Sequence, residues 1–151
     1  TGVNTGDIQN LGLLSYSNSN PQTYPYFSIF KGTKPSIATF KTNYASLMTN
    51  DCLLKFIHDV KNDPTELLPT VISNLIVISS NYKAADKSGD AAWFCLYRRY
   101  TNNSVQGHAI LGNIGLIDTG ADLELPDLNI VAGNIYRIDN FKINLPSSWE
   151  Y

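Results

Sequence analysis

The sequence has few charged residues and no long apolar run. Charged side chains make up 16% of its 151 residues, and 11 basic against 13 acidic residues give a formal net charge of −2. Phosphate binding needs a basic surface, so we expect no nucleic acid partner. No apolar stretch is long enough for a transmembrane helix, and no signal peptide is recognisable. With 43% hydrophobic residues, the composition indicates one globular domain with its own core.

Cysteine and histidine are also scarce. Cys52 and Cys95 cannot form a disulfide framework, and we expect two buried thiols. A cysteine–histidine hydrolase would need one of them beside His58 or His108, but neither cysteine has a signature context. Two isolated histidines without nearby paired carboxylates do not indicate a metal site. We therefore expect no catalytic residues, no bound metal and no cofactor.

The densest β-forming run extends from Ala91 to Tyr100 and is apolar on both faces at its start. Trp93, Cys95 and Tyr97 lie on one face, and Phe94 and Leu96 on the other. A strand with one wet face would alternate apolar and polar residues, so something must cover each side. In an all-β chain, we expect a second sheet on one face and another subunit on the other.

Other segments predict a mostly β chain with one short helix. The helix is predicted over Asn50–Lys61, because Leu53, Phe56 and Val60 recur at helical spacing. About eight strands with turn residues between them favour a jelly-roll sandwich. The other strands are predicted over Tyr24–Phe30, Ser36–Lys41, Thr70–Tyr82, Val105–Ile117 and Ile135–Leu145, with Thr70–Tyr82 and Ala91–Tyr100 forming a long hairpin. Residues 1–20 are interpreted as a lead-in, and residues 21–151 as the domain.

The segment Leu116–Asp122 resembles the catalytic loop of retroviral-type aspartic proteases. In such an enzyme, Asp118 would share a proton with its mate from a second subunit. Only 31 residues follow Gly120, which leaves no room for the flap and closing strands of that family. A surface turn between strands is the favoured alternative, because Asp and Gly are turn residues.

Arginines and aromatic residues are the candidate contact residues. Planar guanidinium groups suit carboxylates, phosphates and aromatic rings, so the cluster is either a structural network or an anion or sugar contact. We expect at least one arginine to meet an acidic group or a small bound carboxylate at a subunit boundary, with Asp122, Glu124 or Asp139 as possible protein partners. The predicted ligand contacts are Arg98, Arg99, Arg137, Tyr97 and Tyr100. The predicted interface of a homotrimer consists of Tyr24, Tyr26, Phe27, Trp93 and Phe94.

The segment Thr5–Leu11, Thr-Gly-Asp-Ile-Gln-Asn-Leu, resembles the polar linker by which trimeric phage fibres leave their shaft. Together with the β-rich, low-charge domain behind it, this segment is similar to the tail needles of P22-like short-tailed phages. Some of those needles end in a tumour-necrosis-factor-like (TNF-like) knob. The resemblance implies a homotrimeric jelly roll at the tip of a virion tail needle or fibre, which contacts or penetrates the bacterial cell surface. It implies no catalytic residue. The main alternative is a carbohydrate-binding module, and the remote one is the aspartic protease.

Overall fold

The computed structural model describes residues 23–59, 62–63, 65–72, 75–100, 105–139 and 141–144. The predicted lead-in over residues 1–20 lies outside these ranges. The chain is mostly β, as predicted, with two short helices instead of one. The helices are α1 (Ile37–Thr42) and α2 (Tyr44–Asn50). The strands are β1 (Thr23–Phe30), β2 (Cys52–Ile57), β3 (Leu67–Ile72), β4 (Leu75–Ser80), β5 (Lys83–Ala84), β6 (Gly89–Asp90), β7 (Trp93–Tyr100), β8 (Val105–Leu116), β9 (Leu123–Leu125), β10 (Asn129–Ile130), β11 (Ile135–Tyr136) and β12 (Phe141–Asn144).

Strand β7 is the centre of a five-stranded sheet with the order β2-β1-β7-β8-β9. It pairs antiparallel with β1 over its whole length, from Thr23↔Tyr100 to Phe30↔Trp93. On its other side it pairs antiparallel with β8, with an irregularity between Tyr97 and Arg98. Strand β9 pairs parallel with β8 over three residues and is the edge strand on that side of the sheet.

One face of this sheet, which we call the sheet-covered face, packs on a second sheet of three strands, β12-β4-β3. Phe27, Phe94 and Leu96 from the large sheet share one buried cluster with Ile76 and Ile78 of β4. Two short ladders, β10-β6 and β11-β5, complete this side of the molecule among the described residues. The arrangement is two layered β-sheets around a common apolar core.

The opposite face, which we call the helix-covered face, lies under α1 and α2. Phe40 of α1 and Tyr44 of α2 are both buried, and they pack with Trp93 and Tyr97 of β7. The rings of Phe40 and Tyr44 also pack edge-on against each other at 5.7 Å, so the two helices form one continuous aromatic cover over the sheet. None of the described helices is long and apolar enough to span a bilayer.

Two segments adopt the opposite secondary structure from the one predicted. Ser36–Lys41, predicted as a strand, lies in and just before α1, where the Ser36 hydroxyl accepts a hydrogen bond from the Thr39 amide at 3.1 Å. A serine cap begins this helix, and the apparent alternation of Ile37 and Thr39 was misleading. The segment predicted as helix over Asn50–Lys61 contains β2 instead, because a strand buried on both sides also shows frequent apolar residues.

The predicted strand pairings also need correction. Thr70–Tyr82 is not one strand, since it contains the end of β3 and all of β4, which pair with each other. β4 also pairs with β12 and not with β7, so the predicted hairpin to Ala91–Tyr100 is wrong. Ile135–Leu145 likewise divides into β11 and β12, which belong to different sheets. The jelly-roll topology and the trimer stay predictions.

Candidate functional site

The two apolar faces of β7 are covered by the chain itself. Trp93 and Tyr97 are fully buried beneath the helices, and Phe94 and Leu96 are buried against the second sheet. Tyr26 and Phe27, also predicted for a trimer interface, are 5% and 0% exposed, and Tyr24 is half-buried. The interface was predicted because a lone chain was not expected to bury these residues. That reason no longer holds, and the interface itself stays a prediction.

The helix-covered face contains a buried hydroxyl network. The Tyr97 hydroxyl lies 3.0 Å from the Ser28 hydroxyl and 3.2 Å from the Tyr44 hydroxyl, and it donates to the Met48 sulfur at 3.5 Å. Ser28 is completely buried, so Tyr97 supplies the partner that its hydroxyl needs. Burial raises the pKa of Tyr44 to about 12 and raises the pKa of Tyr97 well above its usual value. Tyr97 is therefore a neutral interior residue and does not reach a ligand at the surface.

Both cysteines are buried free thiols, as the sequence predicted. Cys52 lies on β2 and not on a helix, and burial raises its pKa to about 11. Burial also raises the pKa of Cys95 well above the usual value. A thiol that stays protonated is a poor nucleophile. His58 faces neither of them closely enough for a hydrogen bond, and its Nδ1 lies 2.8 Å from the Leu67 carbonyl oxygen.

The predicted arginine contacts lie apart from one another. Arg99 is on the helix-covered face, where its Nη1 donates to the Tyr26 hydroxyl at 2.8 Å and its guanidinium lies 5.5 Å from the centre of the Tyr26 ring. Arg98 points to the opposite face, and its buried Nε has no hydrogen-bond partner within the described part of the chain. Arg137 follows β11, where it pairs with Asp139 at 3.0 Å and stacks over Tyr82 at 4.9 Å.

Of the acidic partners predicted for these arginines, Asp122 and Glu124 bond to backbone amides, and Asp139 pairs with an arginine of the same chain. A carboxylate oxygen of Asp122 accepts from the Asn113 amide at 2.8 Å, and one of Glu124 accepts from the Gly120 amide at 2.9 Å. Asp139 pairs with Arg137 of the same chain. Tyr100 lies on β7, but its side chain is outside the described residues. Among the predicted ligand contacts whose side chains the structure describes, Arg99 is the one that lines a cavity on the helix-covered face.

That cavity, which we call the Arg99 pocket, has a volume of about 220 Å³. It opens between α2 and the sheet, where β1, β2 and β7 each contribute side chains. The described lining consists of Tyr26, Tyr44, Ala45, Met48, Thr49, Lys55 and Arg99. Two cations and three hydroxyl groups thus meet in a small concave space, which is the composition of a site for a small polar anion.

Lys55 is the charged residue of this site that the sequence did not predict, and the α2 residues of the lining were not predicted either. It lies on β2 opposite Ser28, half-buried, in a strand that is otherwise apolar. The signal for it was a single lysine within the apolar run Cys52–Ile57. Because that run was assigned to a helix, Lys55 could not be placed on the same face as Arg99.

A larger cavity of about 460 Å³ lies on the sheet-covered face, between β1, β2 and the segment from β9 to β12. Its lining is mostly core side chains, including Phe27, Ile29 and Phe56. The charged residues at its rim are Glu124, Arg137 and Asp139, which already bond within the chain. The lining of this cavity is therefore apolar in larger proportion than that of the Arg99 pocket.

The segment that resembles a protease loop is a tight surface turn between β8 and β9. Asp118 has a φ of 69° and is exposed, and the Thr119 hydroxyl donates to the Leu116 carbonyl at 2.6 Å. These features agree with the turn interpretation. The dyad of an aspartic protease needs a second chain, and that hypothesis stays a prediction.

Within the described ranges, no three His, Cys, Asp or Glu residues are grouped as metal ligands would be. Comparisons with protein-family models, with curated proteins and with solved structures found no match. The site is therefore interpreted from its own geometry.

Proposed function

We propose that this chain is the distal knob of a trimeric virion tail needle or fibre, with a structural role and a role in contact with the bacterial surface. The proposal starts from the linker-like segment Thr5–Leu11 and the low-charge β domain that follows it. A mostly β, layered architecture is compatible with a TNF-like knob.

The observation that carries the proposal is the two-sided burial of β7 inside one chain. Trp93 and Phe94, on opposite faces, are 0% and 2% exposed. The core of the domain is thus complete without a neighbour, and a close-packed aromatic interior resists deformation. A rigid, self-contained module is suited to the tip of a rod that meets a cell surface.

A trimer of such modules must associate through exposed side chains, because the aromatic strands are internal. On and beside the ladder of β5 and β11, Ile135 and Tyr82 are 62% and 58% exposed, the highest values among the large hydrophobic side chains of the described residues. Ile135 pairs with Ala84, and Arg137 stacks on Tyr82, so these side chains lie side by side. We place the subunit contact on this ladder, in place of the aromatic strands that the sequence suggested.

Sedimentation equilibrium at micromolar concentration tests the assembly. We expect a trimer, and we expect Ile135→Glu to shift it toward monomer without lowering the melting temperature of the monomer. Ala38→Glu, on the exposed surface of α1, is the matched control and should leave assembly intact. A parent chain that sediments as a monomer at every concentration would overturn the trimeric proposal.

Electron microscopy of the full-length protein tests the virion role. We expect the domain at the end of a rod, and isolated globular particles would contradict the proposal.

A second candidate function is a carbohydrate-binding module, and the Arg99 pocket favours it. Tyrosine rings and hydroxyls combined with charged donors are the groups that bind sugars in shallow protein sites. A glycan array tests this second candidate, since a carbohydrate-binding module should respond, and the absence of any response would contradict it.

A further inference from the structure

Two cationic side chains line the Arg99 pocket. Lys55 and Arg99 both line it, whereas its described lining includes no Asp or Glu side chain. The Lys55 ammonium forms no ion pair with any carboxylate among the described residues. Lys55 and Arg99 are both half-buried and face one small space, and their N–H groups can donate to an anionic ligand oxygen there.

The hydroxyl groups of the pocket have a defined hydrogen-bond polarity. Tyr26 accepts from Arg99, so its own O–H proton remains to be donated to a ligand oxygen. The Thr49 hydroxyl donates to the Ala45 carbonyl at 2.9 Å, so its oxygen remains as an acceptor. The pocket therefore presents donors for an anionic oxygen and an acceptor for a hydroxyl group.

The body of the ligand is limited by the remaining lining. Met48 and Ala45 contribute apolar surface, and the Tyr26 ring is held by the Arg99 guanidinium above it. A cavity of about 220 Å³ is below the usual size range of sites for larger organic ligands. It suits a single compact ring better than an extended chain.

We propose that the Arg99 pocket binds a carboxylate carried on a small hydroxylated ring, as in a uronic acid. Arg99 and Lys55 bind the carboxylate, the Tyr26 hydroxyl donates to it, and Thr49 accepts from a ring hydroxyl. The carboxylate can come from an acidic unit of a polysaccharide or from a free sugar acid. The inference does not require the chain to be a virion protein. Its failure would leave the assembly experiments unaffected, and it narrows the carbohydrate-binding candidate to acidic sugars.

Isothermal titration calorimetry with glucuronate tests the proposal, with glucose, acetate and inorganic phosphate as comparison ligands. We expect saturable binding of glucuronate, and binding at least roughly tenfold weaker for glucose, which lacks the carboxylate. Acetate and phosphate lack the hydroxylated ring and should also bind at least roughly tenfold more weakly. An acidic oligosaccharide that binds as tightly as glucuronate identifies a polysaccharide end as an acceptable source, and preference for the monomer identifies the free sugar acid.

Lys55→Met and Arg99→Met should each weaken glucuronate binding by roughly tenfold or more. Arg98→Met is the matched control, because Arg98 is the next residue on the same strand but faces the other way, and its affinity should equal that of the parent. If Arg99→Met does not fold, Lys55→Met and Thr49→Val decide the question. Thermal melting provides a second readout, since glucuronate should raise the melting temperature of the parent more than that of Lys55→Met.

Three results would overturn the proposal. The first is the absence of saturable glucuronate binding to a folded parent chain. The second is equal affinity for glucuronate and for glucose, acetate or phosphate. The third is unchanged glucuronate affinity in folded Lys55→Met.

Discussion

The two faces of the five-stranded sheet are both buried, but they are built differently. The sheet-covered face is filled by aliphatic and phenylalanine side chains, such as Leu96, Ile76 and Ile78, which need no hydrogen-bond partner. The helix-covered face contains Tyr26, Tyr97 and other side chains that carry polar atoms into the interior. The first face can be packed by shape and volume alone, whereas the second must also satisfy its hydroxyl groups.

This difference locates the candidate site. The pocket lies only where tyrosine hydroxyls, Lys55 and Arg99 approach the end of the helical cover. Polar side chains that are oriented by buried partners have few alternative conformations, and such preorganisation favours ligand binding. The face that is harder to bury is therefore the face that can recognise a ligand.

The largest expected effect is on the helix-covered face, at Trp93. Its ring stacks on Phe30 at 4.0 Å between centroids, and its Nε1 donates to the Lys31 carbonyl at 3.1 Å. Because Trp93 is fully buried, Trp93→Ala should lower the free energy of unfolding by about 3–5 kcal/mol, measured by urea denaturation. Trp93→Phe keeps the stacking on Phe30 and should lower the free energy of unfolding clearly less than Trp93→Ala does. If both variants lowered the free energy of unfolding equally, the ring stacking would contribute nothing and the Nε1 hydrogen bond would account for the whole loss.

A smaller loss is expected on the sheet-covered face at Gly112. A Cβ atom there would lie 2.4 Å from the Phe94 ring and 3.1 Å from the Asp122 Cβ, so the ring or the backbone must move. Gly112→Ala should cost about 1–3 kcal/mol in denaturant unfolding. Asn113→Ala, at the next and exposed position, is the control, and its free energy of unfolding should equal that of the parent. If Gly112→Ala left the free energy of unfolding unchanged, the sheet-covered face would repack more freely than these contacts indicate.

A third prediction compares coupling on the two faces. Tyr97→Phe leaves the Ser28 hydroxyl without that partner, and it should cost about 1–3 kcal/mol. The double variant with Ser28→Ala should be less destabilised than the sum of the single variants, since both remove the same bond. On the other face, Ile110→Val combined with Ile76→Val should be nearly additive. Additivity of the Tyr97 and Ser28 changes would refute the idea of a coupled hydroxyl network.

The smallest expected effect on stability near neutral pH comes from the ionisation of buried side chains. The pKa of Tyr44 is raised from 10.0 to about 12, and that of Cys52 from 9.0 to about 11. The unfolded chain loses these protons first, so stability is complete below pH 9 and falls as pH rises through the window from 9 to 12. Melting temperature against pH measures this, and Tyr44→Phe should reduce the decline.

A parent chain whose melting temperature is constant across this range would contradict the burial of these groups.

The parts of the fold that depend on local composition could be predicted from the sequence. β7 and β1 were recognised because long runs of aromatic and β-branched residues favour strands whatever surrounds them. The prediction failed where the type of a short apolar segment depends on its tertiary neighbours. α1 has only six residues, and β2 is a strand because it pairs with β1, which no local pattern reveals.

The candidate site was only partly predictable for the same reason. Arg99 was identified by its chemistry, but Lys55 and Tyr44 join it through the pairing of β2 with β1 and through the packing of α2 on β7. The face of β7 on which a second subunit was expected lies under α1, which had been predicted as a strand, and under α2. An error in one short segment therefore changed the interpretation of the whole face.

The central position of β7 has a consequence for how the chain reaches this structure. Its partner β1 is about seventy residues earlier, as the separation of 69 between Ser28 and Tyr97 shows. Closing such a long loop costs entropy before any contact is gained, and sheets dominated by distant pairs fold slowly. During synthesis, β1 cannot complete its pairing with β7 until residue 100 has left the ribosome. Until then Phe27 and Phe30, which are fully buried in the folded chain, lack their packing against β7, and transiently exposed apolar surface of this kind is what chaperones protect.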